Sequence, residues 1–580
     1  MMNTRMVRIP STLQSAMKGI HTHKWIALVC LIPLLVITVL PDNVGRSESE
    51  IYLCFFIPFI TLVGLLSALI RKVSFRVNWI DALVVGWYSY TMIRFWGDAT
   101  YPASGFAIEA TLMYMLYVAL RLLLVGCRLN GKHIAVLLII FSAVEAAMGY
   151  SQLISGVSRH HLYPVTGSFL NPGPYSAYLC LGMVSVFGIK KLNDLHMLVV
   201  TFIAVPLLLT MSRVAFLALF ICVLIVYRDK IRNWRQWVIL IAITVICCIG
   251  LYLLKSRSAD GRGIINYIGI QCLIDKPFWG NGIGSFFHSF ACKTAEISMQ
   301  NPDADLTKVD VIEYAFNDLL LVGVEQGLVG LSFAFGLIAM VMYRLWKECK
   351  SLFLSALSLL IISLFSYPFE LLPYQMIGVI IAAYSANICK AQSDIRFSNI
   401  KTIIQAIAVL LPMCWISHIC HMEIKERLDA ENGYRMMARL KDPAFTKDFF
   451  DLLPMMQENR QYLFDFAMLL SRQGRYNDSN EMLRRGALIS NDPMFLVLQG
   501  NNYRDLGAYD LANQTYLKAW HTIPNRLYPI YQLMKLNEQS DNMKQAVSYA
   551  QEVINFKEKI KSPAVNDMKK EAKELIEHER

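Results

Sequence analysis

Apolar blocks of about fifteen to twenty residues, recurring from Lys24 to about residue 417, constrain this chain more than any other feature. Each approaches the length needed to cross a hydrocarbon layer about 30 Å thick. Leu, Ile, Val and Phe fill these blocks on every side, whereas a helix packed in water keeps a polar face. With 55% apolar and 17% charged residues, the chain reads as a polytopic membrane protein. The expected fold class is all-α: about 13 transmembrane helices, range about 11 to 14, followed by an α-solenoid. The expected spans are 24–40, 51–70, 79–93, 108–126, 134–150, 176–189, 195–211, 214–227, 237–254, 318–343, 353–366, 373–388 and 400–417. The block after Lys24 lacks a small-residue cleavage site and is expected to stay as the first helix.

The formal charge of +11 is not arranged as a nucleic-acid stripe. It collects in short turns between apolar blocks, at "RKVSFR" (71–76), "CRLNGKH" (127–133), "KK" (190–191), "YRDKIRNWR" (227–235) and "YRLWKECK" (343–350). Such clusters anchor the cytoplasmic side. With the N-terminus inside, all five fall there, and everything past about residue 418 lies outside. The expected organisation is a cytoplasmic segment (1–23), a transmembrane domain (24–417) with an outer loop at 255–317, and an outer helical domain (418–580). The 13 cysteines lie mainly inside apolar blocks with no CxxC pair, so neither a metal knuckle nor a disulfide framework is suggested. No acidic cluster has metal-ligand spacing, and no metal or cofactor is expected.

Beyond residue 418 the pattern turns amphipathic. Gly474 and Gly507, like Tyr476 and Tyr509, are spaced 33 apart, and Met543 follows Tyr509 by 34. That frame resembles tetratricopeptide repeats, which stack helix pairs into a solenoid with a concave surface. The surface could hold a partner protein, or the helices could brace the membrane part. Asn501, Asn502 and Arg504 fit either a solvated surface or a recognition face.

Four segments on the outer side carry polar chemistry. In "SRHHLYPVTGSFLNPGPYSAY" (158–178), Pro164, Pro172 and Pro174 forbid a continuous helix and Gly167 and Gly173 permit sharp turns. Irregular backbone near a membrane must bond within the protein or line a wet cavity. Arg159, His160 and His161 precede this break and could face headgroups, water or an anionic substrate; Asn171 lies within it. In "LLLTMSRVAFLAL" (207–219), Arg213 sits between two apolar blocks, where it must snorkel to the interface or find an anion. Ser212 beside it could donate a hydrogen bond or cap the following helix. The segment 256–286 carries Arg257 and Arg262 and then the glycine-rich "KPFWGNGIGSF", which reads as an interfacial loop and not as a nucleotide fingerprint. The fourth, "DVIEYAFNDLLLVGVEQGLVG", places Glu313, Asn317, Asp318 and Glu325 around the start of a long apolar block.

In their order and outer-side placement, "GSFLNPGPYSAYL", "LLTMSRVAFLAL", "GRGIINYIGIQCLIDKPFWGNGIGSF" and "FNDLLLVGVEQGLVG" make residues 20–390 resemble the O-antigen ligase and polymerase superfamily. The resemblance implies an integral-membrane glycosyltransferase that moves a glycan from a polyprenyl diphosphate carrier to an acceptor on the periplasmic side of a bacterial inner membrane. It maps a serine-arginine pair onto Ser212 and Arg213, a loop arginine onto Arg262, and an asparagine onto Asn317. Where these ligases often carry a histidine before that asparagine, this chain has Phe316, whose ring cannot accept a proton. Glu313, His160, His161 or His288 is left to handle the proton.

The mechanism so implied is inverting and metal-independent. Arg213 and Arg262 hold the departing diphosphate, with Arg159 in support, because a guanidinium fork stays charged and matches phosphate geometry. Arg213, Arg262 and Glu313 are the candidate catalytic residues. Arg159, His160, His161, Asn171, Ser212, Arg257 and Asn317 are the candidate substrate-binding residues. The expected partners are the carrier-linked donor, a lipid, glycan or protein acceptor, and a periplasmic protein on the repeats, with no nucleic acid. A ligase is the leading reading; polysaccharide polymerase, protein O-oligosaccharyltransferase, transporter and non-catalytic scaffold are the alternatives.

Overall fold

The computed structural model describes residues 11–39, 46–71, 73–98, 100–127, 129–189, 193–228, 256–301, 305–306, 308–388, 393–396, 400–440, 443–557 and 562–578, with single residues between 229 and 255. From the N-terminus the helices are α1 (Ser11–Thr38), α2 (Arg46–Arg71), α3 (Trp79–Gly97), α4 (Ser104–Cys127), α5 (Gly131–Ser155), α6 (Pro172–Phe187), α7 (Asp194–Leu209) and α8 (Arg213–Tyr227). Then follow α9 (Ser256–Asp275), α10 (Phe286–Gln300), α11 (Asp318–Glu348), α12 (Lys350–Ser363), α13 (Leu372–Asn387) and α14 (Ile400–Leu440). The C-terminal helices are α15 (Thr446–Met456), α16 (Arg460–Arg472), α17 (Tyr476–Leu488), α18 (Met494–Asp505), α19 (Tyr509–Thr522), α20 (Leu527–Gln539), α21 (Met543–Asn555) and α22 (Pro563–His578). The described strands are β1 (Ser74–Val77) and β2 (Ser393–Arg396), an antiparallel ribbon in register from Ser74↔Arg396 to Val77↔Ser393.

Five helical segments among the described residues are long and apolar enough to span a membrane: α2, α4, α5, α11 and Ile404–Arg439 within α14. Thirteen spans were expected, and helix length makes much of the difference. Helices α7, α8 and α12 are apolar but only 14 to 16 residues long, which gives about 21–24 Å at 1.5 Å per residue. The expected span 237–254 lies outside the described residues, apart from isolated positions.

The chain divides into two compact units, each assembled from three stretches. One comprises residues 1–89, 108–251 and 333–424; the other comprises 90–107, 252–332 and 425–580. In the first unit α5, α6, α8 and α12 share one apolar core. Close approach is made possible by small residues: a Cβ on Gly64 of α2 would lie 2.6 Å from the Leu123 nitrogen of α4, and one on Gly182 of α6 would lie 2.3 Å from Ser142 of α5. Without a hydrophobic drive between helices in lipid, such contacts supply packing attraction. Helix α6 starts where it does because Pro172 and Pro174 fall in its first turn, where a missing N–H breaks no intrahelical bond.

The buried Arg121 of this unit is paired. Arg121 of α4 is 1% exposed and grips Asp81 of α3 with Nε at 2.7 Å and Nη2 at 2.9 Å. The Tyr117 hydroxyl and the Asn78 amide donate to the same carboxylate, at 2.7 and 2.9 Å. Extra donors of this kind let a buried ion pair offset its desolvation.

The second unit contains a broken helix. Gly327 interrupts α11 with φ 66° and ψ −164°, stranding backbone groups on both sides. The loop 276–284 takes them up. Asn281 N and Gly282 N donate to the carbonyls of Val324 (2.7 Å) and Glu325 (3.1 Å), while Leu328 N and Val329 N donate to Pro277 (2.7 Å) and Phe278 (3.3 Å). The Tyr90 hydroxyl reaches the Gln326 carbonyl at 2.7 Å. Gly280, at φ +71°, fits because a Cβ there would meet Glu325 backbone at 2.5 Å. The glycine-rich segment is thus a clamp on a helix break, which is how irregular backbone survives near a membrane.

Helices α16 to α21 form three antiparallel pairs, each packing on its neighbours. Residues Gly474, Gly507 and Asp541 turn the chain within each pair, all left-handed at φ 75°, 77° and 56°. The packing is repeat-like. Asn502, fully buried, accepts from Ser471 Oγ and donates to Ser479 Oγ and Asn480 Oδ1 at 2.6–2.9 Å. Asn501 accepts from the Tyr516 hydroxyl at 2.6 Å. Asn502 therefore belongs to no solvated surface, and both asparagines tie helices together. Helix α14 runs without interruption through residue 418, where the apolar pattern gives way.

Candidate active site

The turn between α7 and α8 is tight and strained. Helix α7 ends at Leu209 and α8 begins at Arg213. Thr210 Oγ1 bonds back to the Leu207 carbonyl at 2.7 Å and accepts from Ser212 N at 3.3 Å. Met211 between them has φ +49°, a left-handed backbone that a bulky side chain disfavours. Ser212 occupies the N-cap position but its side chain makes no capping bond. Arg213 therefore stands half-buried at the first position of a 15-residue helix. Among the described residues it has no hydrogen-bond or ion-pair partner. A helix N-terminus with unbonded N–H groups favours an anion, and a free guanidinium beside it adds a full positive charge and a donor fork.

The loop 158–171 is held by α5. Gln152 Oε1 accepts from Thr166 N and Gly167 N at 2.7 and 2.9 Å, and its Nε2 donates to the Gly167 carbonyl at 2.8 Å. Fully buried Glu145 accepts from Ser168 N and Oγ at 3.1 and 2.6 Å. Gly167, at φ +56°, lies so close that a Cβ would stand 2.3 Å from Glu145 Oε2. Arg159 Nη1 donates to the Ser168 carbonyl at 2.8 Å, so its charge sits over the same turn. His160 and His161 stack at 4.9 Å, with His160 Nδ1 accepting from Leu162 N. Asn171 Nδ2 donates to the Tyr367 hydroxyl at 3.2 Å. Sequence reading missed Glu145 and Gln152, although two polar residues seven apart near the end of an apolar block share a helix face.

In the second unit Arg262 and Phe316 come together. The guanidinium carbon lies 4.9 Å from the centre of the Phe316 ring. Phe316 itself has φ +54°. Among the described residues three non-glycine residues are left-handed, and two of them immediately precede candidate site residues, Ser212 and Asn317. Strain of this kind concentrates at functional sites because the surroundings must over-determine it. Asn317 caps α11 through Oδ1, which accepts from Leu320 N at 3.1 Å. Glu313 is exposed and paired with Arg460 Nη2 of α16 at 2.6 Å. The Arg257 side chain lies outside the described residues.

His288 on α10 receives a fixed tautomer from its partners. Nδ1 is 3.0 Å from the Ala487 carbonyl, which only accepts, so Nδ1 carries the proton and Nε2 faces Cys292 Sγ at 3.5 Å. The contact with Cys292 raises the imidazole's pKa from its ordinary 6.5, against the pull of burial. The same contact lowers the Cys292 thiol. Among the described residues no three His, Cys, Asp or Glu side chains gather as a metal site.

An O-antigen ligase family model matches residues 197–335. The matched stretch, about a quarter of the chain, takes in Ser212, Arg213, Arg262, Glu313 and Asn317, and stops short of the 158–171 loop and the repeat helices. No curated protein matches. A solved structure, "Crystal structure of APC/C hetero-tetramer Cut9-Hcn1", is 11% identical over 96% of this chain and 95% of that one, with a TM-score of 0.23. That score is too low to bear on the fold.

Proposed function

We propose that this chain is a membrane glycosyltransferase of the O-antigen ligase type, transferring a glycan from a polyprenyl diphosphate carrier to an acceptor at the periplasmic face of a bacterial inner membrane. The observation that carries the reading is Arg213: a half-buried guanidinium with no described partner, at a helix N-terminus behind a strained turn, inside the stretch matched by the family model.

The chemistry follows from charge. As the acceptor hydroxyl attacks the anomeric carbon from the face opposite the carrier, the carbon–oxygen bond to the diphosphate breaks and negative charge grows on the leaving oxygens. Arg213 and Arg262 each offer charge-assisted donors to that charge. Stacking on Phe316 orients the Arg262 fork. A ring at the position of the usual ligase histidine thus takes a positioning task in place of proton transfer. Glu313 is assigned the hydroxyl proton; it makes its described ion pair through Oε1. The carrier diphosphate is itself the activated leaving group, so the reaction is written without metal or nucleotide. The repeat helices, similar in spacing and turns to tetratricopeptide repeats, are assigned a periplasmic protein partner.

The test is product mass after supplying purified carrier-linked glycan with lipid, glycan and protein acceptors in parallel. Transfer to a lipid acceptor is expected. Wild-type yield from both Arg213→Ala and Arg262→Ala would defeat the assignment, while transfer to glycan or protein alone would move the chain to the polymerase or protein-glycosylating branch.

A further inference from the structure

Helix α9 is apolar on two opposite sides. Ile265, Ile268 and Cys272 are buried in the second unit's core. Tyr267, Ile270 and Ile274 are 54%, 47% and 60% exposed. At about 100° per residue the exposed three fall within roughly a 60° arc, nearly opposite the buried three. The chain then continues into Phe278 and Trp279, exposed by 65% and 60%. A water-facing helix does not keep such a run.

The clamp on α11 gives these side chains a depth. Pro277 and Phe278 bond the backbone of Leu328 and Val329, the first residues past the break at Gly327. From Leu328 the helix runs uncharged to Tyr343, roughly 24 Å at 1.5 Å per residue, within a helix long and apolar enough to cross a membrane. Exposed Tyr343 and Trp346 mark the far end, with Arg344 and Lys347. Phe278 and Trp279 stand beside Leu328 and Val329 at the near end, as aromatic side chains do at a membrane interface.

We infer that the exposed face of α9, with Phe278 and Trp279, is a lipid-binding surface that lies in the headgroup and acyl boundary of the outer leaflet. The occupant is bilayer lipid. An aromatic end anchored to a membrane-length helix sets the level of the surface, and Lys276 supplies a cation at the same end of α9. The inference is independent of which acceptor the enzyme uses and of whether it transfers glycan at all.

The full chain, carrying p-benzoylphenylalanine at position 270 or 274, is reconstituted in nanodiscs of phosphatidylethanolamine and phosphatidylglycerol and irradiated. Lipid adducts are expected at both positions, at least about tenfold above the same probe at exposed Gln545 of α21. Adducts that map to this chain's own peptides, or lipid yields no higher than at position 545, overturn the inference. A second measurement needs no probe at the helix: in discs of dibrominated lipid, wild type minus Trp279→Phe should give a strongly quenched emission component. An unquenched component would reject the inference.

Discussion

Two arginines of the same unit stand in opposite situations. Arg121 is fully buried and its fork is filled by Asp81, with Tyr117 and Asn78 completing the carboxylate. Arg213 is half-buried, stands first in its helix and has no described partner. The residue type is identical, and the role is decided by whether the protein itself satisfies the donors. A saturated fork stabilises the fold; an empty one is available to a ligand anion.

The largest expected effects separate those roles. Arg121→Ala leaves Asp81 buried without its cation and should cost about 3–5 kcal/mol, read as lost detergent-resistant, monodisperse protein on thermal challenge. Arg213→Ala should leave thermal stability nearly unchanged and reduce transfer by about 10²–10³-fold, the scale of losing a donor to developing charge. A matched collapse of stability in both variants would break the comparison.

Next in size is the second unit's stacked pair. Arg262→Ala should lower transfer by about 10²-fold. Phe316→Ala should lower it only about fivefold, since a partly exposed cation–π contact is worth roughly 0.5–1 kcal/mol. If Arg213 and Arg262 hold one diphosphate, the double variant loses less than the product of the single losses. Independent losses would assign the two guanidiniums to different groups.

A smaller effect follows from His288. Its folded pKa is raised by Cys292, so the stability it contributes is complete below the unfolded value near 6.5 and declines as pH rises through the raised folded value. Denaturation followed from pH 6 upward should show that decline in the wild type and a flatter profile in His288→Gln. The smallest effect concerns Glu313 and Arg460, a pair 64% and 43% exposed. Arg460→Ala should change stability by less than about 1 kcal/mol. Its transfer rate tells whether Arg460 restrains the proposed proton acceptor.

The repeat-like pairing of the C-terminal helices was legible because helix pairs need only local turns: Gly474, Gly507 and Asp541 all adopt a left-handed bend between paired helices. The break before α6 was legible for the same reason, since proline and glycine act on their own backbone. Its support was not. Glu145 and Gln152 satisfy a loop 14 to 23 residues downstream, and nothing local in an apolar helix states where its polar side chains will bond. The thirteen-span count exceeds the five span-length helices among the described residues in part because hydropathy registers apolarity but not where a helix ends. Phe316 is instructive in another way. Its inability to move a proton was readable from the ring alone, whereas its place over Arg262 depended on two distant segments meeting.

By itself the sequence determined that this chain is helical and membrane-bound, with glycine and proline marking its breaks, because hydropathy and backbone freedom are properties of each residue and its near neighbours. Only tertiary structure decided which charges are used up. Arg121 and Arg213 differ in their long-range partners, and whether a guanidinium is filled or available is set by the carboxylates that folding brings within hydrogen-bond reach.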